Sequence, residues 1–157
     1  RTLNFLTEHE IESYPDLESR VAEITAASTE AAAALKAAER RLAEMAVLIK
    51  DVTTCKELHP LLQEYQWAAD KKQFRRKHEG TLILYEAAAK ALKEQGFQKL
   101  PDLYALKNEY KQLAEQKKQL QQQYAEIKRQ MQEYGIIKQN VDGILRIAPG
   151  KEQMQER

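Results

Sequence analysis

The stretch LYALKNEYKQLAEQKKQLQQQYAEIKRQMQEYGIIKQNVDGIL, residues 103–145, decides the fold. Apolar side chains stand at Leu103, Leu106, Tyr110, Leu113, Leu120, Tyr124, Ile127, Met131, Tyr134, Val141 and Leu145. The steps between them are threes and fours, and Lys117 and Lys138 fill the two vacant places in the series. An α-helix turns once per 3.6 residues, so side chains at this spacing form one stripe. A stripe kept in strict heptads is a coiled-coil seam, and its period implies left-handed winding.

A second seam lies upstream, at Leu17, Val21, Ile24, Ser28, Ala31, Leu35, Ala38, Leu42, Met45, Ile49 and Val52. Its middle is alanine-rich, which allows a partner helix to approach closely. Ser13 and Asp16 have the spacing of a capping box, and Pro15 fits the first helical turn, where a missing N–H costs nothing. Pro60 is expected to kink or end this helix, because it lacks a donor and clashes with the preceding turn. Between the seams, Phe74, His78, Thr81, Leu82, Tyr85, Ala88, Ala89 and Leu92 form a shorter stripe. Gly96 reads as its C-terminal cap.

One device occurs twice. Residues 11–17, IESYPDL, parallel residues 97–103, FQKLPDL, at an offset of 86. In both, two apolar residues three apart lead into Pro-Asp-Leu and then into a seam. Ile11 with Tyr14, and Phe97 with Leu100, are expected to staple the helix entries.

These patterns predict an all-α chain: a long antiparallel helical hairpin or coiled coil with a shorter middle helix packed on it. Residues 1–148 read as a single elongated domain. Its parts are a short helix 2–8, a long helix 14–69 kinked or broken near 60, a middle helix 71–95 and a long helix 101–146. Residues 149–157 read as a polar tail. The hairpin can close within one chain or between two, so monomer and dimer both remain open. The composition agrees, with 5 glycines and 4 prolines in 157 residues and 31% charged side chains.

The formal net charge of +1 gives no global drive towards nucleic acid or membrane. Residues 1–50 hold 6 Lys/Arg against 9 Asp/Glu, whereas residues 51–100 hold 9 against 7. No apolar run is long enough to span a bilayer, so no membrane partner is expected. The single cysteine, Cys55, has no intrachain disulfide partner, which fits a reducing compartment. The start at Arg1, without methionine or signal-peptide character, reads as a piece of a longer chain.

Candidate chemistry is sparse. His9, His59 and His78 lie in separate segments, with no metal-ligand spacing, and no glycine-rich phosphate loop is present. No cofactor or metal is expected, and no catalytic residue is assigned. Cys55 reads as a small buried apolar residue. Tyr110, Tyr124 and Tyr134 fall on the seam, where packing explains them. The strongest polar feature is the segment 71–78, KKQFRRKH, with Trp67 just before it. Lys71, Lys72, Arg75, Arg76 and Lys77 are suited to a nucleic-acid backbone, and Phe74 or Trp67 to stacking on a base. The plainer account is a solvated helix start with Phe74 in the core.

Several stretches together resemble one family. They are Leu3-Asn4-Phe5-Leu6 with Tyr14 and Leu17, Ala43-Glu44-Met45-Ala46-Val47-Leu48, and Lys71-Lys72-Gln73-Phe74. Further on come Glu86-Ala87-Ala88-Ala89-Lys90-Ala91-Leu92, Lys99-Leu100-Pro101, Leu106-Lys107-Asn108-Glu109-Tyr110 and Asn140-Val141-Asp142-Gly143-Ile144-Leu145. The chain is similar, over nearly its whole length, to the C-terminal helical region of relaxases from mobilisable and conjugative elements of Firmicutes. Such enzymes nick one DNA strand through a catalytic tyrosine in an N-terminal domain that also carries a metal-binding histidine motif. Neither motif occurs in these residues. The resemblance therefore implies a non-catalytic accessory role in conjugative DNA transfer, in the bacterial cytoplasm. Protein partners in the relaxosome or coupling machinery would meet its helical faces, with an auxiliary DNA contact. Two alternatives stay open: a structural coiled-coil module of an unrelated scaffold protein, and a stand-alone DNA-binding module.

Overall fold

The computed structural model describes the backbone of residues 1–156 and the side chains of residues 1–146. The described chain forms α1 (Thr2–Glu8), α2 (Tyr14–Trp67), α3 (Lys71–Lys77), α4 (Glu79–Glu94) and α5 (Leu103–Glu156), with no strand among the described residues. Helix α2 packs on α4 and α5, so the all-α hairpin expected from the seams is the observed architecture. In α2, Leu17, Leu42, Met45 and Val52 are buried, and every other seam position is at least half-buried. In α5, Leu106 and Tyr134 are buried, and only Tyr110 and Leu145 stand at the exposed edge.

The chain divides into two compact units, where the sequence reading takes residues 1–148 as one domain. The first unit holds Arg1–Lys36 together with the chain from Lys118 on, and the second holds Ala37–Lys117. The composition of the seams supplies the reason. No residue between Leu17 and Leu42, nor between Leu106 and Tyr134, is fully buried. In α2 the seam positions Ser28, Ala31 and Ala38 are small and remove little apolar surface from water, so the hydrophobic driving force concentrates beyond that stretch.

In the first unit, Phe5, Ile11, Leu17, Tyr134 and Ile137 form the core. The Phe5 ring meets Tyr134 edge-on at 4.9 Å and stacks on His9 at 4.0 Å. The Tyr14 hydroxyl donates to Asp142, and the Asn140 amide donates to the Thr2 hydroxyl at 3.2 Å. In the second unit, Met45, Leu48, Val52 and Cys55 of α2 meet Ala88 and Leu92 of α4 and Leu106 of α5. Ion pairs Lys117–Glu39 (3.9 Å) and Arg41–Glu109 (3.4 Å) join α2 to α5 with opposite chain directions.

The repeated device is built from backbone hydrogen bonds as well as sequence. After α1, the Ile11 N–H donates to the Leu6 carbonyl (2.8 Å) and the Glu10 N–H to Thr7 (3.2 Å). After α4, 86 residues later, the Phe97 N–H donates to Leu92 (3.1 Å) and the Gly96 N–H to Lys93 (3.0 Å). Both pairs form the Schellman closure of a helix end, which requires a left-handed residue at its centre. Gly96 supplies it with φ +91°, and Glu10 supplies it with φ +55°. The two helix starts then differ. Ser13 Oγ accepts from the Asp16 N–H at 3.3 Å, so Pro15 lies inside α2. At the second start, Asp102 itself caps the helix, accepting from the Tyr104 N–H at 3.1 Å. Pro101 therefore stands before α5, although the proline alone suggested a start at 101.

Of the further boundaries, one settles an open alternative and the others differ from expectation. Helix α2 runs through Pro60 to Trp67, which answers the alternative of a break at 60. Lys56, whose carbonyl loses its donor to Pro60, is exposed, so water can satisfy it. Half-buried Leu61, Leu62 and Tyr65 hold the last turns. The expected middle helix 71–95 is two helices, α3 and α4, separated at His78 with φ −120° and ψ 23°. Gly80 lies just beyond this break, where low helix propensity gives the chain little reason to continue straight. The long helix expected to end at 146, with a polar tail at 149–157, instead runs on in α5 to Glu156.

Candidate nucleic-acid interface

The basic segment begins where α2 ends. Asp70 caps α3, its Oδ1 accepting from the Gln73 N–H at 3.1 Å. That cap fixes the direction in which the cations leave the short helix. Lys71, Lys72, Arg76 and Lys77 are exposed. Trp67, the last residue of α2, is 87% exposed, an unusual position for the largest aromatic side chain.

The other two sequence candidates are turned to structural use. Phe74 is half-buried, 5.8 Å from the Tyr65 ring and 4.5 Å from the His78 ring between centroids. Arg75 makes a two-pronged pair with Glu86, at 2.6 and 3.2 Å. The hydrogen bonds and charge of Glu86 hold the guanidinium more firmly protonated, and Arg75 in turn holds the Glu86 carboxyl below its ordinary value. Arg75 thus clamps α3 onto α4, while the remaining four cations face water. Sequence reading missed Glu86 as this clamp. No signal for it stood in the sequence, since on one continuous helix residues 75 and 86 would stand about 16 Å apart, and only the break at His78 brings them together.

Residues that would carry covalent or metal chemistry are dispersed. His9 is stacked on Phe5, with Nδ1 2.9 Å from the Phe5 carbonyl, while His59 is exposed on α2 and His78 joins α3 to α4. Among the described residues no group of His, Cys, Asp or Glu has the arrangement of a metal site. Burial pushes the Cys55 thiol up, and the nearby Asp51 carboxylate adds to the effect. The hydrogen bond to Asp142 pushes Tyr14 up to about 12, and burial raises Tyr85 and Tyr134. Each of these shifts is opposite to the one that activates a nucleophile at neutral pH. Among the described residues no helix is long and apolar enough to cross a membrane. No family model, curated protein or solved structure matches this chain.

Proposed function

We propose that this chain is a non-catalytic accessory module of a DNA-transfer enzyme of the relaxase kind. It works by contact, offering helical faces to protein partners and the α3 surface to a nucleic-acid backbone. One observation carries the nucleic-acid part: Lys71, Lys72, Arg76, Lys77 and Trp67 are all exposed, while Phe74 and Arg75 fix the helix that presents them. Cations of this kind displace counterions from phosphates, and an exposed indole adds a stacking surface for an unpaired base. The relaxase setting rests on the sequence resemblance alone. It is tested by the sequence encoded upstream, where a histidine triad and a catalytic tyrosine are expected.

The contact itself is tested by titrating single-stranded and duplex oligonucleotides at several salt concentrations. Four phosphate contacts give a slope of log K against log salt of about −3 to −4. Replacing Lys71, Lys72, Arg76 and Lys77 by alanine is expected to remove binding. Trp67→Ala is expected to weaken the single strand by about 1–3 kcal/mol per stacked base and the duplex far less. Binding that is independent of salt, or unchanged in the four-residue variant, overturns the reading.

A further inference from the structure

The second unit contains a groove beside the helix-end device that it shares with the first unit. It has a volume of about 630 Å³ and lies beside the end of α4 and the turn leading to α5. Cys55, Tyr85, Phe97 and Leu100 give it apolar walls, and Lys93 and Lys99 also line it. No carboxylate lines it. Leu100 was expected to staple the helix entry with Phe97, yet it is 45% exposed.

The comparison across the 86-residue offset shows what is missing. The counterpart of Leu100 is Tyr14, which is half-buried and donates its hydroxyl to Asp142. The counterpart of Asp142 is Lys56, next to Cys55 and exposed. The hydroxyl–carboxylate clasp of the first unit is thus replaced by a leucine and a lysine, which cannot bond to each other. The groove is left with an apolar wall and lysines in place of the carboxylate.

We propose that this groove docks an acidic peptide segment of a protein partner, with a bulky apolar residue seated against Phe97 and Leu100 and flanking carboxylates paired with Lys93 and Lys99. Charge complementarity selects the occupant: an apolar anchor alone fits the walls, but only an acidic one meets the lysines without leaving them unpaired. The inference deepens the protein-partner half of the reading above and rests on it. It does not depend on α3 binding nucleic acid.

The test uses the whole chain and a short fluorescent amphipathic peptide with Leu and Phe on one face and Glu and Asp on the other. Its counterpart has every acid replaced by lysine. Anisotropy reports binding, and the alkylation rate of a cysteine placed on the exposed groove wall by Gln98→Cys reports where the peptide sits, Cys55 itself being buried. The acidic peptide is expected to bind and to slow alkylation, whereas the lysine peptide is expected to do neither. The Lys93→Glu/Lys99→Glu variant should weaken the acidic peptide by at least tenfold, and Leu100→Ser should weaken it with the charges intact. Circular dichroism confirms that both surface variants remain folded. The α3 four-alanine variant should bind the peptide as the parent does, which separates failure here from failure of the nucleic-acid reading. Equal binding of both peptides, unchanged affinity on charge reversal, or undiminished alkylation at Gln98→Cys overturns the proposal. Displacement of the peptide by an oligonucleotide also overturns it, since that would make the groove part of a nucleic-acid surface.

Discussion

Replacing Glu10 by glycine is expected to stabilise the protein, a result that no contact of Glu10 would suggest. Glu10 sits at the centre of the Schellman closure after α1 with φ +55°, a conformation that costs an L-residue about 1–2 kcal/mol through crowding of Cβ against its own backbone. Glycine removes that crowding but adds freedom to the unfolded chain, which offsets about 0.5–1 kcal/mol. Glu10 is exposed, so little packing is lost. The net expectation is a gain of about 0.5–1 kcal/mol. Gly96 provides the reciprocal measurement. It has φ +91°, and a Cβ added there would meet nothing within 4 Å. Gly96→Ala therefore isolates the backbone term and should cost about 1 kcal/mol, with no steric clash mixed in. Urea unfolding followed by circular dichroism reads both, as shifts of midpoint at constant slope. A neutral or destabilising Glu10→Gly, combined with a harmless Gly96→Ala, would refute the argument that the two helix ends are the same device.

Two further outcomes follow from burial and from titration. Leu17 is 1% exposed in the core of the first unit, and Leu17→Ala should cost about 2–5 kcal/mol in urea unfolding. Leu3, on α1 but 78% exposed, should change stability by no more than about 0.5 kcal/mol when cut to alanine. Tyr14 has a folded-state pKa of about 12, above the ordinary 10, because its hydroxyl donates to Asp142. A raised pKa means that the folded state holds the proton longer. Its stabilising contribution is complete below pH 10 and is lost as pH rises from 10 to 12. The urea midpoint of the parent should fall relative to that of Tyr14→Phe over this window, and parallel curves would remove Tyr14 from the account.

The seams were legible because burial follows a period that sequence displays directly. Every position from Leu17 to Val52 in the first series is turned away from water. The break at His78 was not legible, because a continuous apolar stripe runs through it: Phe74, His78, Leu82 and Tyr85 face inward on both sides. Periodicity reports which face is buried and says nothing about a single residue leaving helical φ and ψ. The start of α5 was misplaced for a related reason. Pro-Asp-Leu occurs twice, yet Ser13 outcompetes Asp16 as the cap in one case, while Lys99 offers no such oxygen in the other and Asp102 takes the role. At the basic segment, five cations in seven residues were visible, but which of them stays free depended on Glu86, eleven residues from Arg75. The groove by Leu100 was invisible, since an apolar residue at a staple position reads as buried until its neighbours are known.

Of the two lysines that interrupt the α5 seam, Lys117 is a register marker. In a parallel pairing of two copies each would face its own like charge. Instead, Lys117 lies 3.9 Å from Glu39 in the second unit, and Lys138 lies 3.9 Å from Asp142 in the first, where the same carboxylate accepts from Tyr14. Lys117 is thus answered across the α2–α5 pair, whereas the Lys138–Asp142 pair lies one turn apart on α5 itself. These partly exposed pairs are worth at most about 1 kcal/mol each, too little to explain the fold's stability. The effect of the cross-helix pair is on alignment. Ser28, Ala31 and Ala38 are small, so that stretch of the α2 seam discriminates weakly between registers. A slip of one heptad displaces a partner by about 10 Å along the axis, which would separate Lys117 from Glu39 and Tyr14 from Asp142 together. Polar contacts that contribute little energy thus fix the alignment that the small-residue stretch of the α2 seam leaves unspecified.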